Sequence, residues 1–178
     1  MDDKLNAHTL GKRAIVVSLD REFARLHFNS CAIVERTPAD VLYRLPTQTE
    51  ASVLSQGLNP ASSVGESILR SAAAIEQTFG GITASLWDDP FEWTLPEYLL
   101  TPAKVIEHLA DVEAIRRRAF SSFEDDACLL KHIVMPSSES RSLNDLLRET
   151  LRRATAHQAY ALALLKTLSR TSPSGFII

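Results

Sequence analysis

Residues 142–170, near the end of the chain, read SLNDLLRETLRRATAHQAYALALLKTLSR and predict one long amphipathic helix. Apolar and small residues recur there at alternating steps of four and three, the spacing of a stripe that faces partner helices. The stripe consists of Leu143, Leu147, Thr150, Ala154, His157, Ala161, Leu164 and Leu168. A histidine therefore lies in the middle of the face that we expect to be buried.

Three further helices are predicted upstream by the same spacing. Their expected spans are 18 or 20 to about 35, 63 to about 87, and 101 to about 120. Ser63 and Glu66 form a capping box ahead of the second helix, and Thr101 followed by Pro102 is typical of a helix start. Gly80 and Gly81 lie inside the second pattern and are expected to bend or loosen it.

Four long helices with little convincing strand indicate an all-α fold, an up-and-down four-helix bundle with long connections. A chain of 178 residues is long enough to bury a substantial core without a metal or a disulfide. We expect a single domain over residues 1–178, with residues 1–13 flexible.

The composition excludes several classes of function. The formal charge of −3 implies no basic face for nucleic acid. No apolar run approaches the roughly 20 residues of a membrane span, so we expect a cytoplasmic protein. Cys31 and Cys128 lie far apart and match no metal spacing, which favours reduced thiols. The sequence gives no reason to expect either cysteine to lie near a histidine.

The order of these segments resembles the DinB/YfiT-like superfamily of metal-dependent proteins, a family of DinB-like four-helix bundles. The likeness extends from about residue 18 to residue 170 and lies in layout and apolar pattern. The segments that carry it are SVGESILRSAAAIEQTFGG at 63–81, FEWTLPEY at 91–98, TPAKVIEHLADVEAIRR at 101–117 and LNDLLRETLRRATAHQAY at 143–160.

The resemblance implies a divalent metal, nickel or zinc, held by three histidines. One comes from the second long helix and two from an H-x3-H pair on the last, whose spacing places both imidazoles on one helical face. In this chain the pair falls on Arg153 and His157. The second-helix position falls on Arg70 when counted from the helix start, or on Ser71 if the inward stripe sets the register.

Only His157 keeps the residue type that the family uses. Arginine has no lone pair to donate, so Arg153 cannot replace a histidine ligand. Its charge would also repel a divalent ion about 5 Å away by roughly 6–7 kcal/mol at an effective dielectric of about 20. We therefore expect a degenerate metal site and no cofactor; a cofactor, if held, would be nickel or zinc.

The function predicted on this basis is a binding module for a small molecule or a protein. Two interpretations of Arg153 and His157 stay open. The favoured one is a solvated arginine, or one paired with a glutamate, beside a histidine that bonds a neighbouring hydroxyl or carbonyl. The other is that the two residues hold an anion such as a carboxylate or a phosphate. The alternative is a divalent-metal-dependent enzyme of the same family, of thiol transferase or hydrolase type. A third hypothesis is an interaction protein that pairs with itself, since the resemblance implies a homodimer. His108 and Asp111 form another cluster, which we expect to be a solvated helix face.

Overall fold

In the computed structural model, described over residues 12–47, 62–93 and 98–171, four long helices dominate the chain. The helices are α1 (Ala14–Glu35), α2 (Val64–Ala84), the short α3 (Pro90–Trp93), α4 (Pro102–Ser121) and α5 (Leu143–Thr171). A 3-10 turn (Asp126–Leu130) and a short antiparallel ribbon of β1 (His132–Val134) and β2 (Ser140–Ser142) precede α5. The all-α prediction is confirmed, and the ribbon is an addition to it.

Local signals fix the helix starts, as predicted. The Oγ atom of Ser63 accepts the backbone N–H of Glu66 at 3.1 Å, and Thr101 caps α4 in the same way. Ser142 accepts the backbone N–H of Asp145 at 3.1 Å and donates its own hydroxyl to that carboxylate. These bonds satisfy amide groups that have no partner within a helix.

Helix α1 begins without a capping side chain of its own. The carboxylate of Asp126, on the 3-10 turn, instead accepts the backbone N–H groups of Ile15 and Val16 at 3.1 and 2.9 Å. A negative charge is favourable at a helix start because the helix dipole is positive there. The cap of the first helix is therefore supplied by a residue 110 positions later in the chain.

Helices α2 and α4 run parallel, so the predicted up-and-down order is wrong. Towards their starts Ser71 and Leu109 line one small internal cavity, and towards their ends Phe79 packs on Phe120 with ring centroids 5.5 Å apart. The connection over residues 85–101 therefore returns along α2, which is about 30 Å long. Apolar periodicity reports which face is buried and carries no information on direction, which explains the error.

The other helix pairs complete a ring in the order α2, α5, α1, α4. Helix α5 is antiparallel to α2 and parallel to α1, and α1 is antiparallel to α4. These directions follow from the order in which residues of neighbouring helices meet. The pairs that meet are Ser71 and Ala154, Thr78 and Thr150, Leu26 and Gln158, Leu19 and Leu151, Arg13 and Phe120, and Asp20 and Arg116. None of the helices in the described ranges is both long and apolar enough to cross a bilayer.

An aromatic cluster joins three of the four long helices in the core. Phe23 of α1 lies edge-on to Phe79 of α2 at 5.3 Å, and both contact Phe120 of α4. Phe123 extends the cluster beyond the end of α4. Such pairs add about 0.5–1.5 kcal/mol each beyond the area that they bury, so the cluster holds α1, α2 and α4 together.

A buried guanidinium connects α4 to α1. Arg116 is only 3% exposed, and it donates to the Glu113 carboxylate through Nε at 2.7 Å and Nη2 at 2.6 Å. Its Nη1 donates to the backbone oxygen and the carboxylate of Asp20. Burial of a charge is tolerated when it is paired and hydrogen-bonded, and here the guanidinium makes four hydrogen bonds, three of them to two carboxylates.

The Gly80-Gly81 pair does not break α2, which continues to Ala84. Gly81 is buried because the indole ring of Trp87 packs directly on it, where a Cβ atom would overlap the ring. At Gly80 a Cβ atom would lie 3.3 Å from the backbone oxygen of Leu86. Gly81 is therefore required for the packing of Trp87 on α2, and the glycine pair does not interrupt the helix.

The two acids that pair with Arg116 should differ in their contribution to stability. We expect Glu113→Gln to lower the free energy of unfolding by about 1.5–3 kcal/mol, because this side chain is 16% exposed. Asp20→Asn should cost less than about 1 kcal/mol, because Asp20 is 42% exposed and water replaces the pair. Urea unfolding of both variants measures the difference, and equal losses would contradict this assignment.

Adjacent glycines give a second matched comparison. Gly81→Ala should destabilise the protein by about 1–3 kcal/mol, because Trp87 must leave its place on α2. Gly80→Ala should change stability by less than about 1 kcal/mol, because the gain in helix propensity offsets a tight contact. Thermal unfolding followed by tryptophan fluorescence distinguishes the two, and a larger loss for Gly80→Ala would overturn the prediction.

Candidate functional site

The antiparallel packing of α2 against α5 brings the four predicted site positions together. Ser71 is the inward position of the two that the sequence left open: it is 1% exposed, and its Oγ donates to the backbone oxygen of Ala154 at 2.9 Å. Arg70 lies at the rim of the same seam. Arg153 and His157 flank the opposite side, one turn apart on α5.

Arg70 is held in place by two contacts. Its Nη2 and Nε donate to Oε1 of Glu66 at 3.0 and 3.2 Å, one helical turn earlier. The face of its guanidinium lies 4.0 Å from the ring centroid of Phe91 in α3. Stacking on an aromatic ring favours a cation and limits its movement, so Arg70 is a fixed positive charge.

His157 is half-buried in the midst of this positive charge. Burial lowers the pKa of its imidazole, and the charges of Arg70 and Arg153 lower that pKa further. The imidazole makes no hydrogen bond to any residue within the described ranges. Its neutral form is therefore favoured at neutral pH.

Tyr160 belongs to the same face and was missed by the sequence analysis. It is 5% exposed, and its hydroxyl is buried without a hydrogen-bond partner among the residues that are described. Burial raises the pKa of this hydroxyl, and the charge of Glu66 raises it further. The spacing of positions 153, 157 and 160 on one helix was the signal that could have found it. Arg70, Arg153, His157 and Tyr160 are called the α2–α5 cluster below.

The side chains at the predicted ligand positions do not fit a divalent cation. Arg70 and Arg153 have no lone pair to donate, and the neutral Ser71 hydroxyl, which donates its proton to α5, is not one of the thiolate, imidazole or carboxylate groups that bind zinc. Only the imidazole of His157 remains. Within the described ranges no three His, Cys, Asp or Glu side chains are grouped closely enough to share a metal ion.

The second predicted cluster is dispersed by the fold. Asp111 is exposed, and its neighbour Glu107 pairs with Lys104 at 2.6 Å, as expected of a solvated face. Glu113 is occupied by Arg116. His108 lines a cleft between α2 and α4, and none of these acids is among its described lining residues.

That cleft has a volume of about 690 Å³. The cleft could not be predicted from sequence, because its lining comes from two parallel helices and from described residues of the segment between them. Its described lining consists of Glu76, Gln77, Gly80, Leu86, Asp88, Pro90, Tyr98, Leu99, His108 and Ile115.

Cys31 does lie near a histidine, contrary to the sequence analysis. Its Sγ is 3.8 Å from Nε2 of His27, because the two residues are one turn apart on α1. Burial raises the pKa of the Cys31 thiol, as do the nearby carboxylates of Glu35 and Glu113. The thiol is thus kept protonated, which is the opposite of what a cysteine nucleophile needs.

No protein-family model, curated protein or solved structure matches this chain. The likeness to the DinB/YfiT-like superfamily therefore stays a prediction from segment order and apolar pattern. What the structure adds is the meeting of the four positions on one seam.

The position of His157 predicts its titration. We expect its pKa, measured by NMR, to lie below the usual 6.5, and Arg153→Gln to raise it by removing one positive charge. Arg152→Gln is the matched control, because Arg152 pairs with Glu149 and does not act on His157. A pKa at or above 6.5 in the unmodified protein would contradict the described environment.

The same shift makes stability depend on pH. The unfolded chain binds a proton at His157 more readily than the folded chain does. The contribution of neutral His157 to the free energy of unfolding is therefore complete above pH 6.5. It is lost as the pH falls from 6.5 towards the folded pKa. Urea unfolding at several pH values, with His157→Gln alongside, isolates the contribution of this one group.

Proposed function

We propose that this protein is a metal-independent ligand-binding bundle of DinB/YfiT-like type, and that the α2–α5 cluster holds a small molecule by a carboxylate or phosphate group. The observation that supports this most is the charge at the predicted ligand positions. Two guanidiniums, Arg70 and Arg153, flank one imidazole whose pKa they lower. A site with that charge attracts an anion and repels a cation.

Arg153 is the primary anchor in this proposal. Glu66 forms a close ion pair with Arg70, whereas Arg153 is exposed and, within the described ranges, interacts with Glu149 only at longer range. A guanidinium can donate two parallel N–H bonds to a carboxylate or phosphate. Arg70, fixed against Phe91, then supplies positive potential from the other helix.

Tyr160 and His157 provide the remaining interactions. The buried hydroxyl of Tyr160 has a proton to donate and, among described residues, nothing to receive it. A buried hydroxyl without an acceptor costs free energy, and an anion that reaches it removes that cost. A bound anion would also favour the protonated form of His157, so binding should take up a proton.

The experiment that tests this proposal titrates inorganic phosphate and acetate separately into the protein. We expect binding to strengthen as the pH falls through the pKa of His157, and saturating anion to raise that pKa. Arg153→Gln should weaken binding by at least about tenfold, because a hydrogen bond to a charged group contributes about 1.5–3 kcal/mol. Arg152→Gln should leave it unchanged.

Measuring the metal content of the purified protein can contradict the proposal. If the purified protein carries near-stoichiometric nickel or zinc that His157→Ala loses, the proposal is wrong and the enzyme alternative replaces it. If Arg153→His gains metal that the unmodified protein lacks, the geometry of the seam is that of a metal site whose ligands have changed. Light scattering at several protein concentrations tests the homodimer that the resemblance implies.

A further inference from the structure

The geometry points to a second binding site, in the cleft between α2 and α4, for a small organic cation: an amine carried on an apolar body. This inference does not depend on the α2–α5 cluster. The two sites lie on different helix pairs and have opposite charge, so either one can fail without the other.

The size and lining of the cleft suit a small molecule. Its volume of about 690 Å³ lies within the range of about 300–1,000 Å³ that is typical of ligand pockets. Leu86, Leu99 and Ile115 give it apolar walls, and Tyr98 adds an aromatic ring. Apolar walls with a few polar groups favour a ligand with an apolar body and one polar end.

The charge of the cleft determines the sign of that polar end. Its described lining contains two carboxylates, those of Glu76 and Asp88, and neither lysine nor arginine. Gln77 is neutral, and its amide uses one of its two N–H groups on the backbone oxygen of Trp87 at 2.9 Å. An ammonium group is thus attracted, and a carboxylate or phosphate is repelled.

Glu76 is the anchor for the ammonium group. Its Oε2 atom is buried and accepts no hydrogen bond from any residue in the described ranges. A buried carboxylate oxygen without a donor is costly, and the few found in native proteins call for an explanation. Glu76 lines the cleft, so a turn of its side chain would present this oxygen to an ammonium N–H, and His108 on the opposite wall offers a further polar contact.

The test compares three probes that share a phenyl ring and differ in charge: 2-phenylethylammonium, 2-phenylethanol and 3-phenylpropanoate. Each is titrated into the protein and followed by NMR shifts of residues that line the cleft. We expect the ammonium probe to bind at least about tenfold more tightly than the alcohol, since its hydrogen bond to Glu76 is charge-assisted. The carboxylate probe should bind more weakly than the alcohol.

Three variants assign the preference to particular residues. Glu76→Gln should abolish the preference for the ammonium probe over the alcohol, while Asp111→Asn, an equal charge change outside the cleft, should preserve it. Asp88→Asn, at an exposed position, should reduce the preference by about two- to fivefold and keeps the test decisive if Glu76→Gln unfolds. Equal affinity for ammonium and alcohol, an unchanged preference in Glu76→Gln, or no shifts at the cleft at millimolar probe would overturn the inference.

Discussion

The hydrogen-bonded seam between α2 and α5 is the constraint on which both candidate sites depend. Ser71 bonds to the backbone of Ala154 and Thr78 to Thr150, so the two helices are fixed in direction and in register. That register places Arg70 beside His157. It also turns the opposite flank of α2 towards α4, where Glu76 lines the cleft. One helix thereby provides a wall to an electropositive site and to an electronegative one.

The helices and their starts were predictable from sequence because the responsible interactions are local. A Ser63 hydroxyl reaches an amide three residues later, and apolar spacing reports a buried face in whatever direction the helix runs. Helix direction was not predictable, since a long connection can join two helices in either relative direction. Gly81 shows the same limit: a local rule reads it as a weakness, whereas the packing of Trp87 makes it a requirement.

The candidate site was predictable in part for the same reason. Resemblance placed Arg70, Ser71, Arg153 and His157 together, and the seam does bring them onto adjoining helices. Tyr160 and Glu76 were not found, because what distinguishes each is a buried polar atom without a partner among described residues, a property of the assembled bundle. Cys31 and His27 could have been paired from spacing alone, since they are four positions apart on α1.

The cap that Asp126 provides for α1 has a consequence for the order in which the chain matures. On a ribosome, α1 is complete long before residue 126 is made, and its first amides have only water as partners until then. Forming the first turn of a helix is unfavourable, because several residues are ordered for a single hydrogen bond. The first helix to be synthesised therefore gains its cap only after the carboxylate from the final third of the chain has been made.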